Sequence, residues 1–323
     1  MWRLFALGLM LASPVRADVA EAVHAHILPG YAGFSEATAA LDAAAQADCG
    51  ADGLRPAYQA AFDAWIGVSH LRLGPVEDQG RALAIAFWPD PKGLGAKQQA
   101  ALIRAQDAVV ADPAAFAEVS VAARGLMGLE RLLYPAEPPT GDYPCALIRA
   151  TTRDLAAMAA AVEAEWQQGF AAALLAPGAA NPRFLSQTEA RQALLTQLVT
   201  GLEFAADQRL GRPLGSFDKP RPERAETRAS GRSLRNVALS LTALEGLARH
   251  LAPDSPQTWA AFARARELAT GLDDPVLAGV ADPGGRLKIE ILQQAIHATR
   301  DAALAEIGAA LGVGLGFNAA DGD

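Results

Sequence analysis

The sequence predicts an all-α chain folded as two four-helix bundles in tandem. Three observations carry this. Alanine and leucine dominate a composition that is 51% hydrophobic but only 6% aromatic, a balance that favours helix over sheet. Apolar residues recur at three- and four-residue steps over long stretches, and no run alternates as a half-buried strand would. The stretch APGAANPRF, residues 176–184, interrupts the helical pattern near mid-chain and reads as a linker. The 323 residues suffice for one large or two ordinary domains. They divide as a first bundle over 18–177 and a second over 184–323. One large helical solenoid is the alternative, but no fixed short repeat supports it.

The elements follow in order. Val19 to Asp48 forms the first helix. Asp52 to Leu73 forms the second, with Tyr58, Phe62, Trp65 and Leu73 near one face. GPVEDQGRALAIAFWPDPKGLG then breaks the pattern with glycine and proline, and a loop this long inside a compact domain is often functional. A short helix covers Ala96 to Val110. Asp112 caps the next, with Pro113 at its first position, and that helix runs to Leu133. Leu155, Met158, Val162, Trp166, Phe170 and Leu174 place a helix over Cys145 to Leu175. Helices resume over Leu185 to Leu210 and Glu223 to Leu251. In the latter, Leu234, Val237, Leu241, Leu244, Ala248 and Leu251 trace a bundle seam. Gln257 to Leu272 and Arg286 to Leu311 complete the set, and the tail GVGLGFNAADGD is too rich in Gly, Asn and Asp to continue it.

The N-terminus reads as a cleavable secretory signal. Arg3 supplies the positive region, Leu4 to Ala12 the apolar core, and Val15-Arg16-Ala17 a small-x-small cleavage site. A buried N-terminal helix is the alternative; the apolar run is too short to span a bilayer. Cleavage removes residues 1–17 and predicts a periplasmic protein with no transmembrane segment in the mature chain. The formal net charge of −8 becomes −10 once Arg3 and Arg16 are lost. So acidic a chain is unsuited to wrapping nucleic acid. Cys49 and Cys145 are the two cysteines. In an exported protein an even pair favours a disulfide, and antiparallel neighbours would bring these two helix ends together. Two distant free thiols are the alternative. Neither a zinc cluster nor a C-x-x-C-H haem attachment is present.

The candidate chemistry lies in buried charge. RGLMGLERLL, Arg124 to Leu133, is apolar nearly all round, yet Glu130 lies beside Met127 and Leu133. A buried carboxylate must be protonated, paired or holding something. Glu203 and Glu245 recur in similar Leu-Glu contexts. Inward-facing glutamates are one way bundles hold metals; pairing with an arginine is the plainer reading. Arg72 and the run Arg221, Arg224, Arg228, Arg232 and Arg235 are the available forks for carboxylates or anionic ligands. Of the five histidines, His70 draws attention at a helix end beside Arg72, although a satisfied structural histidine is the plainer reading. His24 and His26 lie two apart, which on an α-helix points them to different faces. There is no H-E-x-x-H, no G-x-S-x-G and no phosphate-cradling glycine loop.

Several segments, taken in order, resemble the imelysin family. HILPGYAGF resembles its opening helix, AFDAWIGVSHLRLGPV and FWPDPKG its second helix and following loop, and RGLMGLERLLYP its signature segment. RAETRASGRSLRN and LGVGLGFNAADGD resemble its second-half motifs, so the resemblance runs from about His26 to Asp323. It implies two helical bundles with a cleft between them, bacterial export, and a link to iron or haem uptake. Some members are classed as metallopeptidases on a G-x-H-x-x-E motif. Here Gly125 and Glu130 match, but Met127 stands at the histidine position, and a thioether is a weak ligand that cannot serve as a general base. The expectation is therefore a binding protein. Arg72, His70, Asp90, Glu130 and Arg232 would hold a ligand in the cleft, with Glu130 the candidate ligand to iron or another divalent metal. The alternatives are a metallopeptidase with replacement ligands, or a non-catalytic partner of outer-membrane or periplasmic iron-uptake components.

Overall fold

A computed structural model describes residues 18–314. The expected signal segment, 1–17, and the end of the glycine-rich tail, 315–323, lie outside the described residues. Among those described, the chain is helical, and its β-structure is one isolated bridge between Ser216 and Lys219.

Helix α1 runs as Val19–Ala22, a π-helical turn Val23–Ile27 and Leu28–Ala47 without interruption. Helix α2 is Ala51–Val68. Three shorter helices follow: α3, Arg81–Ile85; α4, Leu94–Ala105; and α5, Pro113–Ala117. Helix α6 is Gly125–Leu133, and α7 runs through Asp142–Glu165, a π turn Trp166–Phe170 and Ala171–Leu175. Helix α8 comprises Gln187–Glu203, a π segment Phe204–Leu210 and Gly211–Leu214. Helices α9, Ser233–Leu251, α10, Pro256–Thr270, and α11, Pro283–Leu311, close the fold.

Helix α1 packs on both α2 and α7, with α6 laid across α2 and α7. Helix α11 packs on α8 and α10, and α9 packs on α8 and α10. Helix α9 also lies against α2 and the start of α1, so buried residues on both sides of the 176–184 segment join one apolar core. Tyr31 stacks on Trp166, with ring centroids 5.6 Å apart, inside that core. Cys49 and Cys145 form a disulfide that ties the end of α1 to the start of α7, two helices packed along each other.

Three expected helices are shorter than their apolar patterns. The span from Asp112 to Leu133 is two helices, because Gly125 adopts φ +67°. A Cβ there would stand 2.1 Å from the Ala84 carbonyl oxygen, so α6 can start against α3 only with glycine at this position. The helix expected from Glu223 starts ten residues later. Thr227 and Gly231 both have positive φ, and a tight 3-10 turn at Pro222–Arg224 precedes them. Helix α2 stops at Val68, and the chain turns at Gly74, φ +66°, where a Cβ would meet the Phe170 ring at 2.5 Å.

Candidate functional site

The end of α2 brings Trp65, Ile66, Ser69 and His70 to one surface, and the loop after it adds Arg72, Glu77, Ala86 and Trp88. Facing them are Thr196, Gln197, Thr200, Gly201, Phe204 and Arg209 of α8, Ser240 and Leu244 of α9, and Glu226. Together they enclose a cavity of about 540 Å³, within the range of small-molecule sites. The π segment of α8 carries both Phe204 and Arg209. Its wider turn re-phases the side chains, and such bulges are frequent at functional positions.

The charges of the cavity differ in how far they are committed. Arg209 donates from Nε to Glu226 Oε2 at 2.8 Å and from a terminal nitrogen to Ser240 Oγ at 2.9 Å. Asn236 donates to the same Glu226 oxygen at 2.9 Å, and the Arg209 guanidinium lies over the Phe204 ring. Both charged side chains are only 6% exposed. A buried pair with this many partners is a fixed wall. Arg72 is different: its amide N–H donates to Gln197 Oε1 at 2.7 Å, but its guanidinium reaches only Glu77, at 3.5 Å, and stays partly exposed. Arg72 and Glu77 thus form a loose, half-exposed pair with each other, unlike the fixed Arg209–Glu226 pair. Trp88 packs edge-on to Phe204, and with Trp65 they supply apolar, π-faced walls.

The histidines meet at the edge of this cavity. His70 Nε2 lies 3.1 Å from His26 Nε2, and the buried His70 Nδ1 has no hydrogen-bond partner. Burial, with the charge of His250 adding to it, lowers His26 to about 4. Burial also holds His70 well below the usual histidine value, with His26 and Arg209 contributing. Both rings are neutral at pH 7.

Glu130 is not in this wall. It is 7% exposed and faces a shallower pocket of about 390 Å³ with Gln99, Arg131, Tyr134 and Ala229. Its Oε1 accepts from the Ser230 amide at 2.9 Å and the Ser230 hydroxyl at 2.7 Å. Burial raises its pKa above the usual carboxylate value, and the Ser230 bonds work against that rise. The neighbouring Arg131 does not pair with it; it donates to the Ala122 carbonyl and to Gln99 Oε1. A metal does not fit here. Met127 stands where an imidazole would, and among the described residues no group of three or more His, Cys, Asp or Glu could hold a metal ion.

Two further expected ligands are occupied by the protein. Asp90 accepts from the Leu94 amide at 2.9 Å and the Gly95 amide at 2.8 Å. It therefore caps the start of α4 and does not line the large cavity. Burial acts to raise its pKa, but those amide bonds hold it below the usual range. Arg232 donates to Asp63 Oδ1 at 2.6 Å, to the Gln59 carbonyl at 3.2 Å and to the Gln59 side chain, and its guanidinium covers the Phe62 ring. This fork pins the start of α9 to α2. Of the five expected residues, the structure brings only His70 and Arg72 together. The sequence reading missed His26, because nothing local reveals that it meets His70 44 residues later; the expected separation from His24 holds, His24 being exposed and His26 half-buried. It also missed Arg209, Glu226, Trp65, Trp88 and Gln197 as one surface; their aromatic and charged types, set on separate apolar stripes, were the one available signal.

The described residues thus form a helical fold with a mixed polar and aromatic cavity between its early and late helices. The chain belongs to the imelysin family, whose model (peptidase M75) matches residues 27–303. It is 26% identical over 306 residues to iron-regulated protein A of Synechococcus elongatus, covering 85% of this chain and 81% of that protein. In fold it is similar to an imelysin-like protein from Psychrobacter arcticus, with TM-score 0.75, 21% identity, and 93% and 96% of the two chains covered. It is also similar to a putative iron-regulated protein A precursor from Parabacteroides distasonis, with TM-score 0.70, 12% identity, and 94% and 97% covered.

Proposed function

We propose that this imelysin-family protein is an exported ligand-binding component of bacterial iron uptake, and that it binds without hydrolysing peptides. The carrying observation is the 540 Å³ cavity with the loosely paired, half-exposed Arg72 and Glu77 among Trp65, Trp88 and Phe204. Such a lining suits a ligand with flat apolar faces and a few charged oxygens, as in an iron chelate or haem. The iron link is supported by the names of the relatives in Synechococcus and Parabacteroides. Export is supported by the signal-like residues 1–17; among the described residues no helix is long and apolar enough to cross a membrane. Binding is favoured over hydrolysis because Met127 replaces the motif histidine and Glu130 is held by Ser230. Zinc hydrolysis needs several good ligands and an activated water.

The test is a fluorescence titration of the mature protein with haem, ferric citrate and a ferric catecholate, read through Trp65 and Trp88. One probe is expected to quench saturably at one equivalent. Thr200→Trp, which fills the cavity, should weaken that binding by at least about tenfold, the equivalent of about 1.4 kcal/mol, with unchanged thermal unfolding. Quenching by none of the three, or binding indifferent to Thr200→Trp, refutes the proposal.

A further inference from the structure

We propose that His26 and His70 form a two-imidazole site for a divalent first-row transition-metal ion, at the edge of the large cavity. The separation of their Nε2 atoms is 3.1 Å. With metal–nitrogen bonds of about 2.0–2.1 Å, two adjacent nitrogens on one ion stand roughly 3.0–3.4 Å apart, and two on opposite sides about 4 Å apart. The pair is therefore spaced as neighbouring ligands. The same figure rules out opposite axial positions on a haem iron.

Three features of the surroundings suit the role. Both rings are neutral at pH 7, so their lone pairs are available, and imidazole favours ions such as Fe²⁺, Co²⁺, Cu²⁺ and Zn²⁺. Arg209, whose charge bears on His70, is neutralised by Glu226 at 2.8 Å. The rings also sit in a cradle of small residues on α8 and α9. A Cβ at Gly246 would stand 3.3 Å from His26 Nδ1, and one at Gly201 would stand 3.0 Å from His70 Cβ. His26 lies within the π turn Val23–Ile27.

A hydrogen bond between the two rings is the competing account. It places one proton between the two Nε2 atoms, and since His70 Nδ1 is buried and unpartnered on either account, titration with a metal ion decides between them. Among the described residues no third His, Cys, Asp or Glu completes a cluster. The protein thus supplies two ligands, and the remaining positions are filled by water from the cavity that His70 lines.

The test uses the mature chain, stripped with a chelator and titrated with Co²⁺ alone at pH 7.5, so it does not depend on any iron chelate binding in the cavity. One equivalent should give a saturable visible absorption band. His26→Gln should weaken it by well over tenfold, since even groups that merely orient a ligating imidazole are worth about 10–100-fold in affinity. His24→Gln, on the same π turn but exposed, should leave it unchanged. Because His70→Gln can compromise folding, the second measurement is made on the wild-type protein. There, Zn²⁺ should shift the ¹⁵N resonances of His26 Nε2 and His70 Nε2 and no other imidazole. No absorption band, binding indifferent to His26→Gln, or Nε2 resonances unmoved by Zn²⁺ would each overturn the site.

Discussion

Acid should destabilise the metal-free protein through His26. Its pKa is about 4 in the folded chain against 6.5 for the free side chain, chiefly because burial penalises the imidazolium. Between those values the unfolded chain takes up a proton that the native chain refuses. Stability therefore falls as pH drops below 6.5, and the loss is complete near pH 4. At about 1.4 kcal/mol per pH unit, the full penalty is about 3 kcal/mol, of which about 2 kcal/mol is reached at pH 5. His70 Nε2, 3.1 Å away, acts in the same direction. His250 repels the His26 charge while facing Glu21 at 3.5 Å. The assay is urea unfolding at pH 7.5 and pH 5.0, where most carboxylates remain ionised. His26→Gln carries no such proton and should lose about 2 kcal/mol less than wild type between the two pH values, whatever its stability at pH 7.5. Equal losses in the two proteins, or an NMR titration of His26 centred near 6.5, would refute the reasoning.

Two further outcomes concern the frame around the cavity. Glu130→Gln keeps the oxygen that accepts both Ser230 bonds and removes the carboxyl whose ionised form burial penalises. It should stay within about 1 kcal/mol of wild type at pH 7, whereas Glu130→Ala strands the part-buried Ser230 amide and hydroxyl and should cost about 1–3 kcal/mol; chemical denaturation of both variants checks this, and a large loss in Glu130→Gln would contradict it. Replacing Cys49 and Cys145 by serine opens a link across a sequence separation of 96. It should lower unfolding stability by up to about 4–5 kcal/mol, measured by guanidinium titration under non-reducing conditions; a loss under about 1 kcal/mol would contradict the loop-entropy estimate.

Helical class and pairing of the cysteines were legible in the sequence for local reasons. Three- and four-residue spacing marks helices such as α7 and α9 whatever they touch, and helix ends that must meet put Cys49 beside Cys145. The breaks were not legible. Nothing in the Leu-rich run to Leu133 reveals that Gly125 must pass within touching distance of the Ala84 carbonyl, because that neighbour is forty residues away. Site residues failed similarly. Asp90 and Arg232 have the right chemistry for a ligand, but sequence does not show which amides and carboxylates will be left without partners in the fold. The amides of Leu94 and Gly95 claim the first, and Asp63 and Gln59 claim the second. His26 was hidden for the same reason: its partner His70 lies 44 residues away, and the two-residue spacing from His24 does separate the two, His24 being exposed and His26 half-buried.

The surviving motif positions have structural tasks that owe nothing to a metal. Gly125 is required by the approach of α3, and Glu130 receives the Ser230 amide and hydroxyl from a turn one hundred residues later. That second contact joins α6 to the turn preceding α9, while Arg232 and Asp63 join the start of α9 to α2. Together these ties fix α9 against α2, and α9 carries Ser240 and Leu244 of the cavity wall. Gly125 and Glu130 beside Met127 are therefore accounted for by the packing of the fold alone. A residue that shapes the cavity from outside it should act on ligand affinity only through the angle of α9. Glu130→Gln preserves the Ser230 bonds and so preserves that angle. On this account it should bind as wild type does, whereas a hydrolytic role for the carboxylate would make the same substitution fatal to function.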